Sequence, residues 1–296
     1  MNNIPSPFFI ELPQAFPGLD HFIGAWVIPG PPTIVIDVGP VVSVQQLITN
    51  LQQQGIGRVD YVWLTHIHID HAGGLAPFLE AFPTARVVSH GKGLQHLIDP
   101  SRLWEGSLAT LKEMAVAYQP IQPVLPERLI SHEAAGLDGL TILETPGHAP
   151  HHLTFCYRNL LFTGESVGVY LPFWEEIYMR PPTPPRFFFD QAVASVDRML
   201  ALPDQPIFFA HAGSHPSSKT MVGLYKEQLF RWKELISSAW QDHPAEILEQ
   251  ATDLLLEKDP LLQCFAKMDG PTQQRERFFM ANSIAGFVGY LQQQNR

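Results

Sequence analysis

Short apolar runs, rich in β-branched and aromatic residues, recur along the first two thirds of the chain. Runs of this kind that are bounded by glycine, proline or acidic residues are typical of buried β-strands. Several of the predicted strands are followed at once by a loop that carries a histidine or an acidic residue, so we expect polar chemistry at these strand ends. The predicted strands cover residues 33–36, 61–64, 86–89, 140–143, 153–157, 159–163 and 206–210. A tight turn at Arg158 and Asn159 is predicted between the adjacent strands 153–157 and 159–163.

Other segments place apolar residues at helical spacing. Residues 44–54 and 73–81 each predict one amphipathic helix. Residues 94–117 predict helical pieces that are broken near Pro100 and Gly106, because proline and glycine interrupt helices. Strands and helices therefore mix in this part of the chain, which is the pattern of an α/β domain.

The pattern changes near residue 216, where strand signals end. Residues 218–240, 244–257 and 273–293 all show apolar residues at helical spacing. We therefore predict an α/β domain over residues 1–215 and a helical C-terminal domain over residues 216–296.

One segment fits neither pattern. Residues 170–185 are rich in proline and aromatic side chains and predict a long loop, and loops of this length are commonly functional. Tyr170, Phe173 and Tyr178 are candidates for contact with an apolar or aromatic substrate. Burial under the helical domain and contact within a homodimer are the alternatives that the sequence leaves open.

Composition and charge argue against several classes of function and of binding site. The 19 basic and 29 acidic residues give a formal net charge of −10, which disfavours nucleic acid as a partner or substrate. No apolar run approaches the roughly 18 residues that a membrane span needs, and the first residues show no secretory signal, so we expect a cytoplasmic protein. Cys156 and Cys264 lie far apart, which argues against a disulfide framework or a thiolate metal site.

Four potential metal ligands stand within six residues, directly after the predicted strand 61–64. They are His66, His68, Asp70 and His71. Imidazole nitrogen and carboxylate oxygen suit zinc, iron or manganese. Residues two apart on an extended loop point the same way, so His66 and His68 can bind one ion while the other two reach a second.

The His-rich run resembles the motif of the metallo-β-lactamase superfamily, and later motifs follow in the order and spacing of that family. The resemblance covers roughly residues 20–215 and implies an α/β fold, the metallo-β-lactamase αββα sandwich, here with a helical C-terminal domain. The motifs that carry it are His66-Ile67-His68-Ile69-Asp70-His71-Ala72-Gly73-Gly74, Pro146-Gly147-His148, Phe162-Thr163-Gly164-Glu165 and Ala210-His211-Ala212-Gly213.

The resemblance implies two metal sites. One would be formed by His66, His68 and His148, and the other by Asp70, His71 and His211. Binuclear members generally have a bridging aspartate where this chain has Glu165, which could bridge, bind one ion only, or lie outside the ligand set. Asp37, which follows the strand 33–36, is expected to brace the metal loop through hydrogen bonds.

The implied activity is that of a binuclear hydrolase, with two divalent ions, zinc first and iron or manganese as alternatives. A hydroxide that bridges the ions would attack a small ester, thioester or lactone, and Asp70 would orient it and pass a proton to the leaving group. The helical tail is similar to that of the glyoxalase II and quinolone-signal thioesterase branch. His151 is a candidate polar residue of the substrate pocket, and the resemblance implies a structural role for His152.

Two other functions are compatible with the sequence. A mononuclear iron persulfide dioxygenase shares the fold but uses fewer of these ligands, so the presence of both His71 and His211 argues against it. A metal-binding regulatory protein that acts through partner contacts of its helical domain is the second alternative.

Overall fold

The computed structural model describes residues 6–172, 177–242 and 244–294. Its internal contacts divide the chain into two compact units, Met1–Ile142 and Leu143–Arg296. The division falls within a strand, and each unit is described here by itself.

The first unit is built on a six-stranded sheet in which the strands follow the order of the chain. The first three strands are antiparallel neighbours, and strands β3 to β6 run parallel. Parallel strands are usually covered on both faces, and β3 and most of β4 and β5 are accordingly buried. The strands are β1 (Phe8–Glu11), β2 (Gly24–Ile28), β3 (Ile34–Ile36), β4 (Tyr61–Trp63), β5 (Arg86–Ser89) and β6 (Leu129–Ser131).

The helices of this unit follow the predicted spacing. Helix α1 (Val44–Gln53) buries Val44, Leu47, Ile48 and Leu51 and exposes its polar face, as expected for an amphipathic helix. The predicted helix 73–81 corresponds to α3. The remaining helices are α2 (Ile69–Ala72), α3 (Leu75–Ala81), α4 (Gly91–Ile98), α5 (Ser101–Leu111) and α6 (Glu113–Tyr118).

One predicted break in the helical stretch 94–117 is correct and the other is wrong. The chain does leave the helix at Pro100, between α4 and α5, but Gly106 lies inside α5. Gly106 is exposed and has no neighbour within 4 Å of a built Cβ, so the helix continues through it at a cost of about 1 kcal/mol relative to alanine. The second break falls at Lys112, whose φ is 54°.

The second unit contains a five-stranded sheet with the strand order β13-β12-β9-β8-β7. Strands β8 and β9 form a hairpin whose two turn residues, Arg158 and Asn159, have φ values of 48° and 65°. Positive φ at both positions is what a tight two-residue hairpin requires, so the predicted turn is confirmed. The strands are β7 (Leu140–Glu144), β8 (Leu153–Tyr157), β9 (Leu160–Gly164), β12 (Ile207–Phe209) and β13 (Ser214–His215).

Helices dominate the end of the chain, as predicted. They are α7 (Phe189–Leu200), α8 (Ser218–Asp242), α9 (Ile247–Lys258) and α10 (Gly270–Gln294). Strand β13 ends at His215 and α8 begins at Ser218, so the change from strand to helix falls where the sequence pattern changes. The division into domains at residues 215 and 216 stays a prediction.

The predicted loop 170–185 is partly wrong, because it contains a strand pair. Strands β10 (Val169–Leu171) and β11 (Tyr178–Arg180) are antiparallel and buried. Two of the aromatic side chains therefore pack inside the unit instead of lining an open loop. Phe173 lies outside the described residues.

Strand β11 carries a buried charge cluster that it shares with α10. Glu276 accepts hydrogen bonds from the Tyr178 hydroxyl at 2.9 Å, from Arg275 Nε at 2.8 Å and from Arg180 Nε. These side chains are almost inaccessible to solvent, and Glu276 itself is fully buried. Burial raises the pKa of Glu276, but the Arg180 and Arg275 guanidinium groups outweigh it and lower the pKa to about 2. Glu276 is therefore a carboxylate at neutral pH.

Across the described part of the chain, none of the helices combines the length and the apolar character that crossing a membrane would require.

Candidate metal centre

Parallel strands bring the first set of donor residues to one edge of the six-stranded sheet. Strands β3 and β4 are paired with Ile36 opposite Trp63, so the residues that follow both strands leave the sheet at the same edge. Asp37 follows β3 and Thr65 begins the His-rich run after β4. The sequence pattern predicted polar residues at these strand ends, and the structure confirms this.

Asp37 fixes the His-rich run through three hydrogen bonds. Its Oδ1 accepts from the Thr65 backbone N–H at 2.8 Å, and its Oδ2 accepts from the Thr65 hydroxyl and from His71 Nδ1, both at 2.9 Å. The φ of Asp37 is 56°, a left-handed conformation that aspartate adopts more readily than most residues. The predicted bracing role of Asp37 is thereby confirmed.

The same contacts orient the imidazole rings. The Thr65 hydroxyl donates to Asp37 and therefore accepts from His66 Nδ1, which lies 3.0 Å away. Nδ1 of both His66 and His71 is thus engaged, which leaves Nε2 of each ring as the atom for a ligand role. His66 Nε2 lies 3.0 Å from His68 Nδ1.

Asp70 and His71 form the second pair of donors in this unit. His71 Nε2 lies 3.5 Å from Asp70 Oδ2, and His71 is buried. Burial lowers the pKa of His71, whereas the carboxylates of Asp70 and Asp37 raise it, and the net result is a pKa well above the usual range. Negative charge gathered around buried imidazoles is an environment that favours cations.

The second unit repeats this arrangement at an edge of its own sheet. Strands β9 and β12 are parallel, with Phe209 opposite Gly164. Glu165 follows β9 and His211 follows β12, so both residues leave the sheet at the same edge. Their side chains meet there, with His211 Nε2 3.1 Å from Glu165 Oε1.

His148 reaches the same carboxylate from the loop after β7. Its Nε2 lies 2.9 Å from Glu165 Oε2. The preceding residue, Gly147, has a φ of +159°, and a Cβ there would lie 2.8 Å from Cβ of Ala192 in α7, so only glycine fits between this loop and the helix. Burial raises the pKa of Glu165, but the His148 and His211 imidazoles outweigh it and hold the pKa well below its usual range.

His152 holds the backbone of the Glu165 turn. It is fully buried, and its Nε2 accepts from the Glu165 backbone N–H at 3.1 Å. Its Nδ1 therefore carries the proton and donates to the Thr145 hydroxyl at 2.9 Å. The resemblance to hydrolases of the glyoxalase II type implies a structural role for His152, four residues after His148, and the bond to Glu165 is known from the structure alone.

The residues predicted to contact substrate have varied surroundings. Tyr178 is fully buried and its hydroxyl is bonded to Glu276, and Tyr170 packs against Phe209 with ring centroids 5.0 Å apart. His151 is partly exposed next to the buried His152. A substrate contact for these side chains, and for Phe173, stays a prediction.

The donor chemistry fits divalent transition metals. Within each unit the predicted ligands are imidazole and carboxylate groups that lie close to one another on hydrogen-bonded loops, and no thiolate is among them. Imidazole nitrogen with carboxylate oxygen is the ligand set of zinc and of non-haem iron and manganese sites. The first unit supplies His66, His68, Asp70 and His71, and the second supplies His148, Glu165 and His211.

Replacing Asp37 by asparagine is expected to lower the zinc affinity about 10- to 100-fold, as for other partners of metal ligands. Three donors point at the two oxygens of Asp37. An amide NH₂ group in place of either oxygen would face at least one of these donors and could not accept its hydrogen bond. Competition with a chromogenic chelator measures the affinity. Asp60→Asn is the matched control, because Asp60 also accepts from a backbone N–H, that of Thr33, outside the His-rich run. Equal affinities for both variants would show that the hydrogen bonds of Asp37 do not contribute to metal binding.

Comparison with protein families gives one match that spans most of the chain. A model described as the Metallo-beta-lactamase superfamily matches residues 22–211. A metallo-beta-lactamase fold-containing protein of Sulfurisphaera tokodaii is 29% identical over 189 residues, which cover 61% of this chain and 69% of that protein. A hydroxyacylglutathione hydrolase of Xylella fastidiosa is 27% identical over 191 residues, which cover 63% of this chain and 57% of that protein.

Solved structures show the same fold. The crystal structure of an archaeal metallo-beta-lactamase superfamily protein from Sulfolobus tokodaii has a TM-score of 0.69 at 20% identity, and the match covers 96% of this chain and 99% of that one. A metallo-beta-lactamase family protein from Thermus thermophilus has a TM-score of 0.62 at 21% identity, with 99% of this chain and 95% of that one covered. The fold predicted from the sequence, including its helical C-terminal region, is confirmed.

Proposed function

Because the chain belongs to the metallo-β-lactamase superfamily and is thereby a metal-dependent hydrolase, we propose that it hydrolyses a small ester, thioester or lactone with two divalent metal ions. The observation that carries this proposal is the position of Glu165. One of its oxygens lies 2.9 Å from a His148 nitrogen and the other 3.1 Å from a His211 nitrogen. A buried carboxylate with one oxygen toward each of two histidines is suited to join two metal ions.

Following the family motifs, we propose that His66, His68 and His148 would hold one ion and that Asp70, His71 and His211 would hold the other, with the Glu165 carboxylate available to both. Glutamate offers the same carboxylate as the aspartate expected at this position, on a stem that is one methylene longer. When bound, two divalent ions would lower the pKa of a shared water toward neutrality and polarise the acyl carbonyl.

Residues of the chain itself would hold the metal ligands in place and transfer protons. Asp37 keeps the His-rich run in place, and His152 keeps the Glu165 backbone in place, so the ligands are fixed before the substrate arrives. Asp70 is proposed to orient the attacking oxygen through its carboxylate and to deliver a proton to the leaving group. Its side chain is 18% exposed, compared with 3% for the adjacent His71.

An acyl compound is the proposed substrate class. The name of the Xylella relative, hydroxyacylglutathione hydrolase, supports hydrolysis of an acyl derivative. Among the basic side chains of the C-terminal helices, Lys226 forms an exposed pair with Asp197 at 2.6 Å and Arg277 one with Asp253 at 3.1 Å. The basic residues of these helices are scattered among acidic ones, which supports a small uncharged or apolar acyl group over a glutathione conjugate. The proposed compartment is the cytoplasm.

Metal analysis combined with a substrate panel tests the proposal. We expect two metal ions per chain, and we expect turnover of thioesters, esters or lactones that is lost on chelation and restored by zinc, iron or manganese. His68→Ala should lose its activity and should also bind one metal ion fewer per chain. His21→Ala, at an exposed histidine bonded to Glu11, should behave as wild type. One iron per chain with oxygen consumption, or turnover of phosphodiesters alone, would overturn the proposal.

A further inference from the structure

The ring of His148 is held from the side opposite to Glu165 by the carbonyl of Pro182. The distance from His148 Nδ1 to the Pro182 oxygen is 2.7 Å. Because a carbonyl only accepts, Nδ1 carries the proton, and Nε2 is the nitrogen that faces Glu165. A histidine that binds metal through Nε2 is commonly fixed in this way by an acceptor at Nδ1. The Pro182 carbonyl thus sets both the tautomer and the direction of the ring.

Pro182 lies in the segment of residues 178–184, and several other polar groups of this segment are bonded to the C-terminal helices. The Met179 carbonyl accepts from Gln228 Nε2 of α8 at 2.5 Å. The side chains of Tyr178 and Arg180 are both bonded to Glu276 of α10. The strand that leads to Pro182 is therefore attached to two helices.

A single serine of α10 holds the residues on either side of Pro182. Ser283 Oγ donates to the Pro181 carbonyl at 2.7 Å and accepts from the Thr183 backbone N–H at 3.2 Å. The Thr183 hydroxyl donates to the Ser283 carbonyl at 3.2 Å. These bonds leave the Pro182 carbonyl little freedom to turn away from His148.

The backbone of the segment also packs directly against α10. A Cβ built on Gly286 would lie 1.9 Å from the Thr183 carbonyl oxygen and 2.8 Å from that of Pro184. Both neighbours are backbone atoms, so a side chain at this position would push the segment away from the helix. Gly289, one turn later on the same helix, has no atom within 4 Å of a built Cβ.

We propose that Ser283 and Gly286 of α10 are positioning residues for His148, which they orient through the backbone of residues 181–183 and the Pro182 carbonyl. This inference rests on the proposed function, because it takes His148 to be a metal ligand. The C-terminal helix then takes part in metal binding, although it supplies no ligand. The sequence gives no sign of this, since Ser283 and Gly286 read as ordinary residues of a closing helix.

Gly286→Ala and Gly289→Ala form a matched pair for the test. We expect Gly286→Ala to lower the zinc affinity about tenfold and to change the visible spectrum of the cobalt-loaded protein, because the Nδ1 acceptor of a ligand is displaced. Gly289→Ala should match wild type in both measurements. Competition with a chromogenic chelator gives the affinity without reference to catalytic activity.

Ser283→Ala tests the positioning of His148 by α10 if Gly286→Ala fails to fold. It should lower the zinc affinity at least threefold, and Ser283→Thr, which keeps the hydroxyl, should restore it. Leu255→Ala, at a buried position of α9, separates positioning from general destabilisation, because it should lower the melting temperature and leave the zinc affinity unchanged.

Two outcomes would overturn this inference while leaving the proposed function intact. One is wild-type zinc affinity in folded Ser283→Ala and Gly286→Ala proteins, and the other is an equal loss of affinity in Leu255→Ala. A wild-type protein that binds neither zinc nor cobalt would instead overturn the proposed function, and this inference with it.

Discussion

Replacing Glu165 by glutamine is expected to lower kcat/KM by roughly 10³-fold and to reduce the metal content of the purified protein. The change keeps the size of the side chain but replaces one carboxylate oxygen by an NH₂ group, which repels a cation and faces either His148 or His211. A bound metal ion contributes several kcal/mol to stabilising the charge that develops in the transition state, and about 1.4 kcal/mol corresponds to a factor of ten in rate.

Glu165→Asp is the informative companion to this variant. It keeps the charge and supplies the residue expected at this position, but withdraws both oxygens from the 2.9 and 3.1 Å contacts with the histidines. We expect it to retain metal and to show activity between those of wild type and Glu165→Gln. Metal content by mass spectrometry and steady-state kinetics are the measurements. Full activity and two metal ions in Glu165→Gln would show that Glu165 is no ligand.

Glu276→Gln is expected to destabilise the protein by about 3–5 kcal/mol. The substitution leaves the guanidinium groups of Arg180 and Arg275 buried without their carboxylate, and removing one partner of a buried ion pair carries a cost of this size. The midpoint and slope of urea unfolding give the change. Glu257→Gln is the control, because Glu257 forms only an exposed pair with Lys258 and should change stability by less than about 0.5 kcal/mol.

The same residue gives a pH dependence of known sign. The pKa of Glu276 falls from 4.5 to about 2 on folding, so the unfolded chain takes up the proton first as the pH is lowered. The stabilisation is complete above about pH 4.5 and is lost progressively toward pH 2, by about 3 kcal/mol in total. In Glu276→Gln, this part of the acid decline should be missing. Parallel pH profiles for wild type and variant would contradict the assignment.

Local signals were sufficient where an element depends on nearby residues. The amphipathic spacing of α1 and the turn at Arg158 and Asn159 are properties of a few consecutive residues, and both were predicted correctly. The His-rich run was also recognisable as a cluster of potential metal ligands, because its donors lie within six residues. The later candidates His148, Glu165 and His211 required the family motifs, since nothing in their spacing alone brings them together.

The sequence failed where long-range contacts decide the structure. Residues 170–185 read as a loop because of their prolines, yet β11 forms within them, and its buried partner Glu276 lies 98 residues after Tyr178. Gly106 read as a helix break, but an exposed glycine costs too little to end α5. The Pro182 carbonyl could not be found at all, because a backbone group leaves no mark in the sequence.

The contact between α10 and residues 178–184 also restricts which segments of this chain can be replaced by those of its relatives through recombination. Ser283 and Gly286 contact the backbone at Thr183, and Glu276 is bonded to the side chain of Arg180. About a hundred residues separate the partners in each contact. Recombination that replaced only the C-terminal helices would pack a helix of another protein against residues 178–184. The buried ion pair and the close glycine contact would then be lost. The helices and residues 178–184 should therefore be inherited as one unit, and positions 180 and 276 should change together.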